Sequence, residues 1–322
     1  MREFLKPLVV VSKCIEFEHC RYNGLVISSD VVKQLTPFVK FSPVCPELEI
    51  GLGVPRDPVR VIQVAGELRL FQPARDRDLT EKMRGFVHSF LKSIQEVDGF
   101  ILKGRSPSCG LKDVKAYPGK EGTAPSAKGG GFFGDAVLER FPYLAVEDEG
   151  RLRNFRIREH FLTKLFALTK FRQVRSSGKM GDLVRFHSEQ KFLLMSYSQK
   201  QLAVLGRTVA NQERRPALQV MKIYEDGLLR AFSHMPRYSS NINVLMHALG
   251  YFSKALSHEE KGFFLDSLEL YRATRVPLSV PLNIVRSWIV RFDEQYLKRQ
   301  TFFTPFPEQL MEITDSGRDR DF

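Results

Sequence analysis

Three cysteines of the chain follow predicted strands or lie in loops that contain proline or glycine. Cys14 follows an apolar run, Cys45 precedes Pro46, and Cys109 precedes Gly110. Because the loops at the carboxyl ends of parallel strands meet in one crevice, three thiolates there would form a soft site for zinc or an iron–sulfur cluster, with one coordination position left for chemistry. The alternative is three small buried hydrophobic side chains. Without a CxxC pair, the spacing leaves both interpretations open.

The residues around these cysteines alternate between strand and helix patterns. Short β-branched or apolar runs are typical of buried strands, and apolar residues at a period of 3.6 are typical of helices. The predicted strands are 8–11, 59–71 (a pair turning at Gly66), 99–102 and 141–146, and the predicted helices are 26–38, 78–97 and 136–140. This order predicts βαβ units and an α/β, Rossmann-like domain with a mostly parallel sheet. Residues 115–134, rich in Gly, Pro, Ser and Ala, are predicted to form a loop of this domain.

After the charged tetrad at residues 147–150, strand patterns nearly vanish. Seven segments have helical periodicity: 155–171, 183–195, 199–209, 217–233, 241–256, 259–271 and 282–292. They predict an all-α bundle of roughly six to eight helices. We therefore expect an α/β domain over residues 1–147, a helical domain over 151–312 and a polar tail over 313–322.

Nearly all of the net positive charge lies in the second half of the chain. Residues 1–150 contain 21 Lys and Arg against 20 Asp and Glu, whereas residues 151–322 contain 28 against 17. This asymmetry indicates a polyanionic partner for the second half, with nucleic acid favoured over a membrane surface. No apolar run is long enough to span a bilayer. The unpaired pattern of four cysteines and the lack of a signal peptide predict a cytoplasmic protein.

One stretch of the second half is especially basic. It contains a single acid, Glu159, and nine cations: Arg151, Arg153, Arg156, Arg158, Lys164, Lys170, Arg172, Arg175 and Lys179. We interpret it as a phosphate-binding surface for RNA, to which His187, Lys191 and Arg207 add further contacts. The alternative is a solvated helix face, with His187 and Lys191 as a surface pair four residues apart.

A GxGxxG string spans residues 129–134. It follows a predicted loop instead of a strand, so it does not indicate a dinucleotide fingerprint. Gly129, Gly130 and Gly131 stand at the start of a predicted helix, where backbone N–H groups attract anions, and could seat a phosphate of the substrate. The alternative is a mobile lid or a connection.

Several blocks of the first half resemble the TudS family of thiouracil desulfidases. They are residues 12–14 (SKC), 21–24 (RYNG), 45–47 (CPE), 51–56 (GLGVPR) and 106–110 (SPSCG). The resemblance covers about residues 5–147, with Lys13 and Asn23 as departures from the family pattern. It implies a [4Fe–4S] cluster held by Cys14, Cys45 and Cys109, with a fourth iron open to the sulfur of a thiocarbonyl substrate.

The second half resembles the YbgA-type helical domain in three blocks: 186–191 (FHSEQK), 205–211 (LGRTVAN) and 271–278. The two domains fused in this order resemble the RudS desulfidases, which remove the sulfur of 4-thiouridine in tRNA. The resemblance therefore implies a tRNA desulfidase, with tRNA as partner. Sequence alone does not give the oligomeric state.

The chemistry implied by this resemblance is a hydrolysis without net electron transfer. A thiocarbonyl sulfur is soft, and an open iron is a thiophilic Lewis acid that prepares sulfide as a leaving group. Glu47 is the expected general base for the attacking water, and Ser106 and Ser108 would relay protons or bind the intermediate. The alternatives are an ion pair or cap for Glu47, with Arg56 or Arg105 as the partner, and turn-stabilising hydroxyls for the serines.

Two other functions compete with the tRNA desulfidase. The first keeps the chemistry but uses a free thiopyrimidine or its nucleotide, which does not account for the excess positive charge of residues 151–322. The second is a non-enzymatic nucleic-acid-binding protein in which the three cysteines hold a structural zinc ion.

Overall fold

The computed structural model describes residues 3–122 and 124–311, so the predicted tail at 313–322 lies outside the described residues. The chain divides into two compact units. One comprises Glu3–Thr169 together with the C-terminal segment that begins at Phe306, and the other comprises Lys170–Pro305. In the described part of the chain, no helix combines the length and the apolar character needed to cross a bilayer.

Strands and helices alternate through the first unit, as the sequence pattern predicts. The strands are β1 Leu8–Ser12, β2 Lys40–Val44, β3 Arg60–Val64, β4 Glu67–Gln72, β5 Arg77–Asp78, β6 Gly99–Leu102, β7 Val114–Pro118, β8 Ala127–Gly129 and β9 Ala145–Asp148. The helices are α1 Asp30–Leu35, α2 Pro46–Glu49, α3 Thr80–Ser93 and α4 Phe132–Arg140. The predicted helix at 26–38 is shorter than expected because Ser29 caps α1, its hydroxyl accepting from the Val32 N–H.

The main sheet has the strand order β2-β1-β6-β9, and all of its strands are parallel. This confirms the predicted α/β class. Within β1, Val9 and Val11 pack into one hydrophobic core and Val10 into the other, because successive side chains of a strand point to opposite faces. Both faces of the sheet are therefore buried, as the unbroken apolar run of β1 requires.

Helices cover both faces of the main sheet. One face packs against α1 and against the first part of the next helix, α5 (Phe155–Ser177), through side chains that include Phe161 and Leu165. The other face packs against α3 and α4 through Met83, Val87 and Phe133. This packing explains why the compact units divide after Thr169, inside α5. The last strand, β9, already ends at Asp148, within the tetrad that was expected to separate the domains.

A second sheet, with the order β5-β4-β3-β7-β8, lies in the same unit. The predicted strand pair with a turn at Gly66 is confirmed as the antiparallel pair β3–β4, with Ala65 (φ 50°) and Gly66 (φ 84°) in left-handed conformations. The predicted loop at 115–134 instead contains β7 and β8. Its strands are short and partly polar, and β7 pairs with the distant β3, a relationship that local sequence does not reveal.

The second unit is entirely helical in its described residues. After α5 come α6 Met180–Tyr197, α7 Gln199–Ala210, α8 Ala217–Ala231, α9 Tyr238–Phe252, α10 His258–Arg272, α11 Ser279–Arg291 and the short α12 Gln295–Arg299. All seven predicted helical segments are confirmed. Ser257 and Glu260 form a capping box at the start of α10, which is the signal that sequence patterns use to locate helix starts.

Candidate active site

The three predicted ligand cysteines lie at the carboxyl ends of adjacent parallel strands. Cys14 follows β1 by two residues, Cys45 directly follows β2 and is the N-cap residue of α2, and Cys109 lies in the loop after β6. Since β2, β1 and β6 are neighbours in the sheet, the loops meet at one edge. The side chains converge as well: burial raises the pKa of the Cys109 thiol, and the nearby Cys45 thiol adds to that shift.

A fourth thiol belongs to this cluster and was not expected from the sequence. The Cys20 side chain is hydrogen-bonded to the thiols of both Cys14 and Cys45. Cys20 lies in a loop whose two ends are held together next to Cys14. The Ile27 N–H donates to the Cys14 carbonyl at 2.7 Å, and Ile15 forms a β-bridge with Ile27. Cys20 does not follow a strand, so neither spacing nor strand pattern could have revealed its position.

Three of the four thiols are buried and have raised pKa values, so the structure favours their protonated forms. Cys20, Cys45 and Cys109 are at most 8% exposed, whereas Cys14 is partly exposed. The hydrogen bond with Cys20 and then burial raise the pKa of Cys45, and burial raises the pKa of Cys109 against the opposing hydrogen bonds of Ser12 and Ser106. A hydrogen bond to Cys14 is the main factor that raises the pKa of Cys20 to about 11. Binding a metal here must release protons.

The donor set is composed of thiols, which iron–sulfur clusters use as ligands. Three strand ends supply it, and Cys14 is its most exposed residue. Among residues 3–122 and 124–311, no three His, Cys, Asp or Glu side chains are grouped so as to hold a single metal ion.

Ser106 shapes the loop that carries Cys109. Its hydroxyl oxygen accepts the N–H of Ser108 at 3.2 Å and that of Cys109 at 3.1 Å. The Gly110 N–H closes the turn by donating to the Ser106 carbonyl at 2.8 Å. Ser106 therefore has the turn-stabilising role that the sequence left open as an alternative, and its side chain also contacts the Cys109 thiol.

Glu47, in α2, is held by contacts to both of its carboxylate oxygens. Oε1 accepts the Ser108 hydroxyl at 2.9 Å, and Oε2 accepts Nε of Arg56 at 2.9 Å. The Glu47 and Arg56 side chains are only 12% and 6% exposed. The same guanidinium donates from Nη1 to the carbonyls of Cys20 and Gly53, at 3.0 and 3.2 Å. The ion pair that the sequence offered as an alternative is thus present, and it orients Glu47 beside the cysteines.

The glycine string packs α4 against the cysteine loop. The N–H groups of Gly131 and Phe133 donate to the carbonyls of Gly110 and Ser108, at 2.7 and 2.8 Å. A Cβ on Gly131 would lie 2.6 Å from the Ser108 carbonyl oxygen, so only glycine permits this approach. The prediction that Gly131 binds a phosphate of the substrate is therefore wrong, because its N–H group already donates to the Gly110 carbonyl. At Gly130, the Asp135 carboxylate fills the space beside the backbone.

Much of the basic stretch at 151–179 is engaged within the protein. Arg151 pairs with Glu147 at 2.8 Å, Arg175 pairs with Glu225 at 2.6 Å, and Lys170 pairs with Glu189. Arg158, 4% exposed, donates to the Leu152 and Arg153 carbonyls. Lys164 is 7% exposed, and burial lowers its pKa to about 8 while Glu147 opposes the shift. Arg158 and Lys164 are therefore buried within the protein, where an RNA phosphate cannot contact them.

The remaining predicted contacts are more accessible. His187 is half-buried, its Nδ1 lies 3.0 Å from the Tyr224 hydroxyl, and burial together with Lys191 lowers its pKa. It contributes to helix packing. The other members differ in exposure: Arg153, Arg156, Lys179, Lys191 and Arg207 are exposed, and Arg172 is half-buried.

Comparison with protein families identifies both parts of the chain. Residues 9–149 match the model of the 2-thiouracil desulfurase family, and residues 191–307 match DUF1722, a family described as of unknown function. These matches lie on either side of the predicted domain boundary.

Three individual proteins are similar to the chain. The uncharacterized protein YbgA of Escherichia coli (strain K12) is 26% identical over 158 residues, which are 48% of this chain and 93% of YbgA. The uncharacterized protein YbbK of Bacillus subtilis (strain 168) is 34% identical over 110 residues, which are 32% of this chain and 73% of YbbK. A solved structure described as the [4Fe–4S]-dependent thiouracil desulfidase TudS is 26% identical, with 46% of this chain and 93% of that chain covered and a TM-score of 0.35.

Proposed function

Because the chain belongs over residues 9–149 to the 2-thiouracil desulfurase family and carries a DUF1722 domain over residues 191–307, we propose that it replaces the sulfur of 4-thiouridine in tRNA by oxygen. The observation that carries the proposal is the convergence of the thiols with Glu47 and Ser108 at one edge of the parallel sheet. Water is consumed, the C=S bond becomes C=O, and the sulfur leaves as hydrogen sulfide. No electrons are transferred.

Cys14, Cys45 and Cys109 would hold a [4Fe–4S] cluster, the cofactor named in the description of the similar TudS structure. When bound, this cluster supplies a thiophilic Lewis acid that polarises the C=S group. The partial exposure of Cys14 is consistent with access of the substrate at this residue, whereas Cys45 and Cys109 are buried.

Glu47 receives the proton of the attacking water. Its carboxylate is fixed by Arg56 on one oxygen and by Ser108 on the other, so it is oriented before the substrate arrives. The Ser108 hydroxyl can donate to Glu47 and accept from water at the same time, and thereby connects the base to the site. The proton then passes to the departing sulfide. General base catalysis of this kind contributes about 10²- to 10⁴-fold.

The positive charge of residues 151–322 supports tRNA as the substrate. A thiolated base in folded tRNA is stacked, and its extrusion costs roughly a few kcal/mol, which contacts between cations and phosphates offset. A free base or nucleotide has no need of such a surface.

The decisive experiment uses the full chain, reconstituted with iron and sulfide under anaerobic conditions and incubated with bulk bacterial tRNA. We expect loss of the near-ultraviolet absorbance of 4-thiouridine, a matching yield of sulfide, and neither signal with Cys109→Ala. Intact tRNA in the presence of a loaded cluster would contradict the proposal. Colourless protein with bound zinc and no turnover would instead favour the nucleic-acid-binding alternative.

The names of the matched family and of the similar structure favour a second candidate, desulfuration of free 2-thiouracil. Parallel assays with 2-thiouracil, 4-thiouridine monophosphate and thiolated tRNA separate the two candidates. Turnover of the free compounds alone, with no acceleration on tRNA, would support the second.

Cys20 provides a matched control for the ligand assignment, because it is a buried thiol in contact with two proposed ligands. We expect Cys20→Ser to retain the visible absorbance and iron content of the cluster, and Cys45→Ser to lose both. Loss of iron in Cys20→Ser with retention in Cys45→Ser would contradict the assignment of the ligands.

A further inference from the structure

Within the helical unit, positive charge is concentrated before α9. Residues 170–237 contain 13 Lys and Arg against 5 Asp and Glu, whereas residues 238–305 contain 8 against 6. In the first of these segments, Glu189 and Glu225 pair with Lys170 and Arg175 of α5. These pairs neutralise part of α5 and leave the cations of the following helices without those partners.

Five exposed cations lie on α7, on α8 and in the loop between them. They are Lys200, Arg207, Arg214, Lys222 and Arg230, and we call them the α7–α8 cationic surface. No carboxylate of the described residues forms an ion pair with any of the five.

The spacing of these residues places them on continuous helix faces. Lys200 and Arg207 are seven residues apart, and Lys222 and Arg230 are eight apart, so each pair lies on one side of its helix. Seven residues of helix rise about 10 Å, which exceeds the size of one phosphate group. Asp226 lies on the same stripe of α8 as Lys222 and Arg230, and it is the carboxylate that reduces the charge of that stripe.

Hydrogen bonds within the loop between the helices leave Arg214 exposed to solvent. Asn211 ends α7 in a left-handed conformation (φ 44°), and its side chain exchanges two hydrogen bonds of 2.9 Å with the Arg215 backbone. Arg215 itself pairs with Glu213, whereas Arg214 is exposed with φ 53°.

The two helices pack closely against each other. Gly227 of α8 faces Leu205 of α7 so closely that an added Cβ would lie 2.7 Å from its Cδ2. His187 of α6 is joined to Tyr224 of α8 at 3.0 Å and faces Gly206 of α7. The packing fixes the relative positions of the helices that carry the cations before any partner binds, and so lowers the entropic cost of binding.

We infer that the α7–α8 cationic surface, which includes the predicted contact Arg207, binds the sugar–phosphate backbone of folded tRNA, in place of the basic stretch at residues 151–179 that the sequence favoured. The inference rests on the proposed function for its choice of polyanion. Exposed cations without ion pairs, spread over more than one helix, match a chain of phosphates better than a single phosphate of a small nucleotide. Recognition of this kind depends on shape and backbone.

The test compares two double variants of the cluster-loaded full chain that change net charge equally. Arg207→Glu/Lys222→Glu alters the surface, and Lys254→Glu/Arg275→Glu alters exposed cations near α9 and α10. Fluorescence anisotropy with labelled tRNA over a salt series gives the Kd and its salt dependence. Turnover of thiolated tRNA and of 4-thiouridine monophosphate is measured in parallel, and circular dichroism checks the fold.

We expect the surface variant to weaken tRNA binding at least tenfold and to reduce the slope of log Kd against log salt by about two, because each lost phosphate contact removes about one. Its turnover of the free nucleotide should be unchanged, and the control variant should bind within about twofold of the unaltered chain. An equal loss of tRNA affinity in both variants, or no loss in either, would contradict the assignment of this surface and leave the proposed substrate unaffected. If the unaltered chain does not bind tRNA, the proposed tRNA substrate and the surface both fail.

Discussion

The Ser108 hydroxyl donates a 2.9 Å hydrogen bond to Oε1 of Glu47, across 61 positions of sequence. This bond joins the loop after β6, which carries Cys109, to the helix α2, whose N-cap residue is Cys45. Ser108 is fully buried, and Glu47 also contacts Arg56. The proposed base and the proposed ligands therefore form one connected group, and a change at one member can be read in the others.

Replacing the base should stop the chemistry and leave the cofactor in place. Glu47→Gln preserves the size of the side chain but cannot accept the proton of water, so we expect kcat to fall at least about 100-fold. Absorbance and iron content of the reconstituted protein should stay normal. Glu49→Gln, an exposed neighbour on the same short helix, is the control and should keep full activity. Normal turnover by Glu47→Gln would rule out its role as base.

Substitutions of Ser106 and Ser108 should affect different properties of the protein. Ser108→Ala removes the donor to Glu47 and should lower kcat about tenfold or more with the cluster retained. Ser106→Ala removes the acceptor for two backbone N–H groups, at a cost of roughly 1 kcal/mol or more. It should lower Tm and the iron bound per chain. Iron analysis, thermal unfolding and turnover of both variants make the comparison, and an identical profile for the two would contradict the separate roles.

Substitutions of the glycines before α4 distinguish a packing role from a phosphate-binding role. Gly131→Ala places a methyl group 2.6 Å from the Ser108 carbonyl oxygen and must displace the Cys109 loop. We expect a lower Tm and reduced iron content. Gly129→Ala meets no atom within 4 Å and serves as the control, with both properties unchanged. A loss of nucleotide affinity in both variants at normal stability would restore the phosphate interpretation.

The buried Lys164 should lower the free energy of unfolding below about pH 8, relative to a variant with an uncharged side chain at this position. Burial lowers its pKa from 10.5 to about 8 in the folded chain. The folded state thus disfavours the charged form, and this cost is complete below pH 8 and disappears as the pH rises toward 10.5. Lys164→Met should therefore raise the free energy of unfolding at pH 7 by on the order of 2 kcal/mol.

Thermal melts of Lys164→Met at pH 7 and pH 9.5 check this prediction, with exposed Lys179→Met as the control. The gain in Tm should be smaller at pH 9.5, because the unaltered chain recovers stability there. A pH-independent gain would show that packing alone is responsible. Because Lys164 is buried, the variant should also bind tRNA normally, unlike changes on the α7–α8 cationic surface.

By itself, the sequence determined the class of each part of the chain and three of the four thiols at the site. Apolar periodicity located the helices of the second unit, and apolar runs located β1 and β6 of the main sheet, because local pattern records which face of an element is buried. The half-exposed strand β2 (Lys40–Val44) was not predicted, because it has no such run. Cys14, Cys45 and Cys109 were identifiable because each follows a predicted strand or lies in a loop that contains proline or glycine, and the order of β2, β1 and β6 in the sheet brings these loops together.

Tertiary structure alone decided what lies next to what. Cys20 joins the thiols through a turn closed at Ile27, Arg56 reaches both Glu47 and the Cys20 carbonyl, and Gly131 gives its N–H to the cysteine loop. The basic stretch of α5 looked uncompensated because its partners Glu189 and Glu225 lie elsewhere in the sequence. Such contacts depend on the distance between residues far apart in the chain, and composition and periodicity carry no information about that distance.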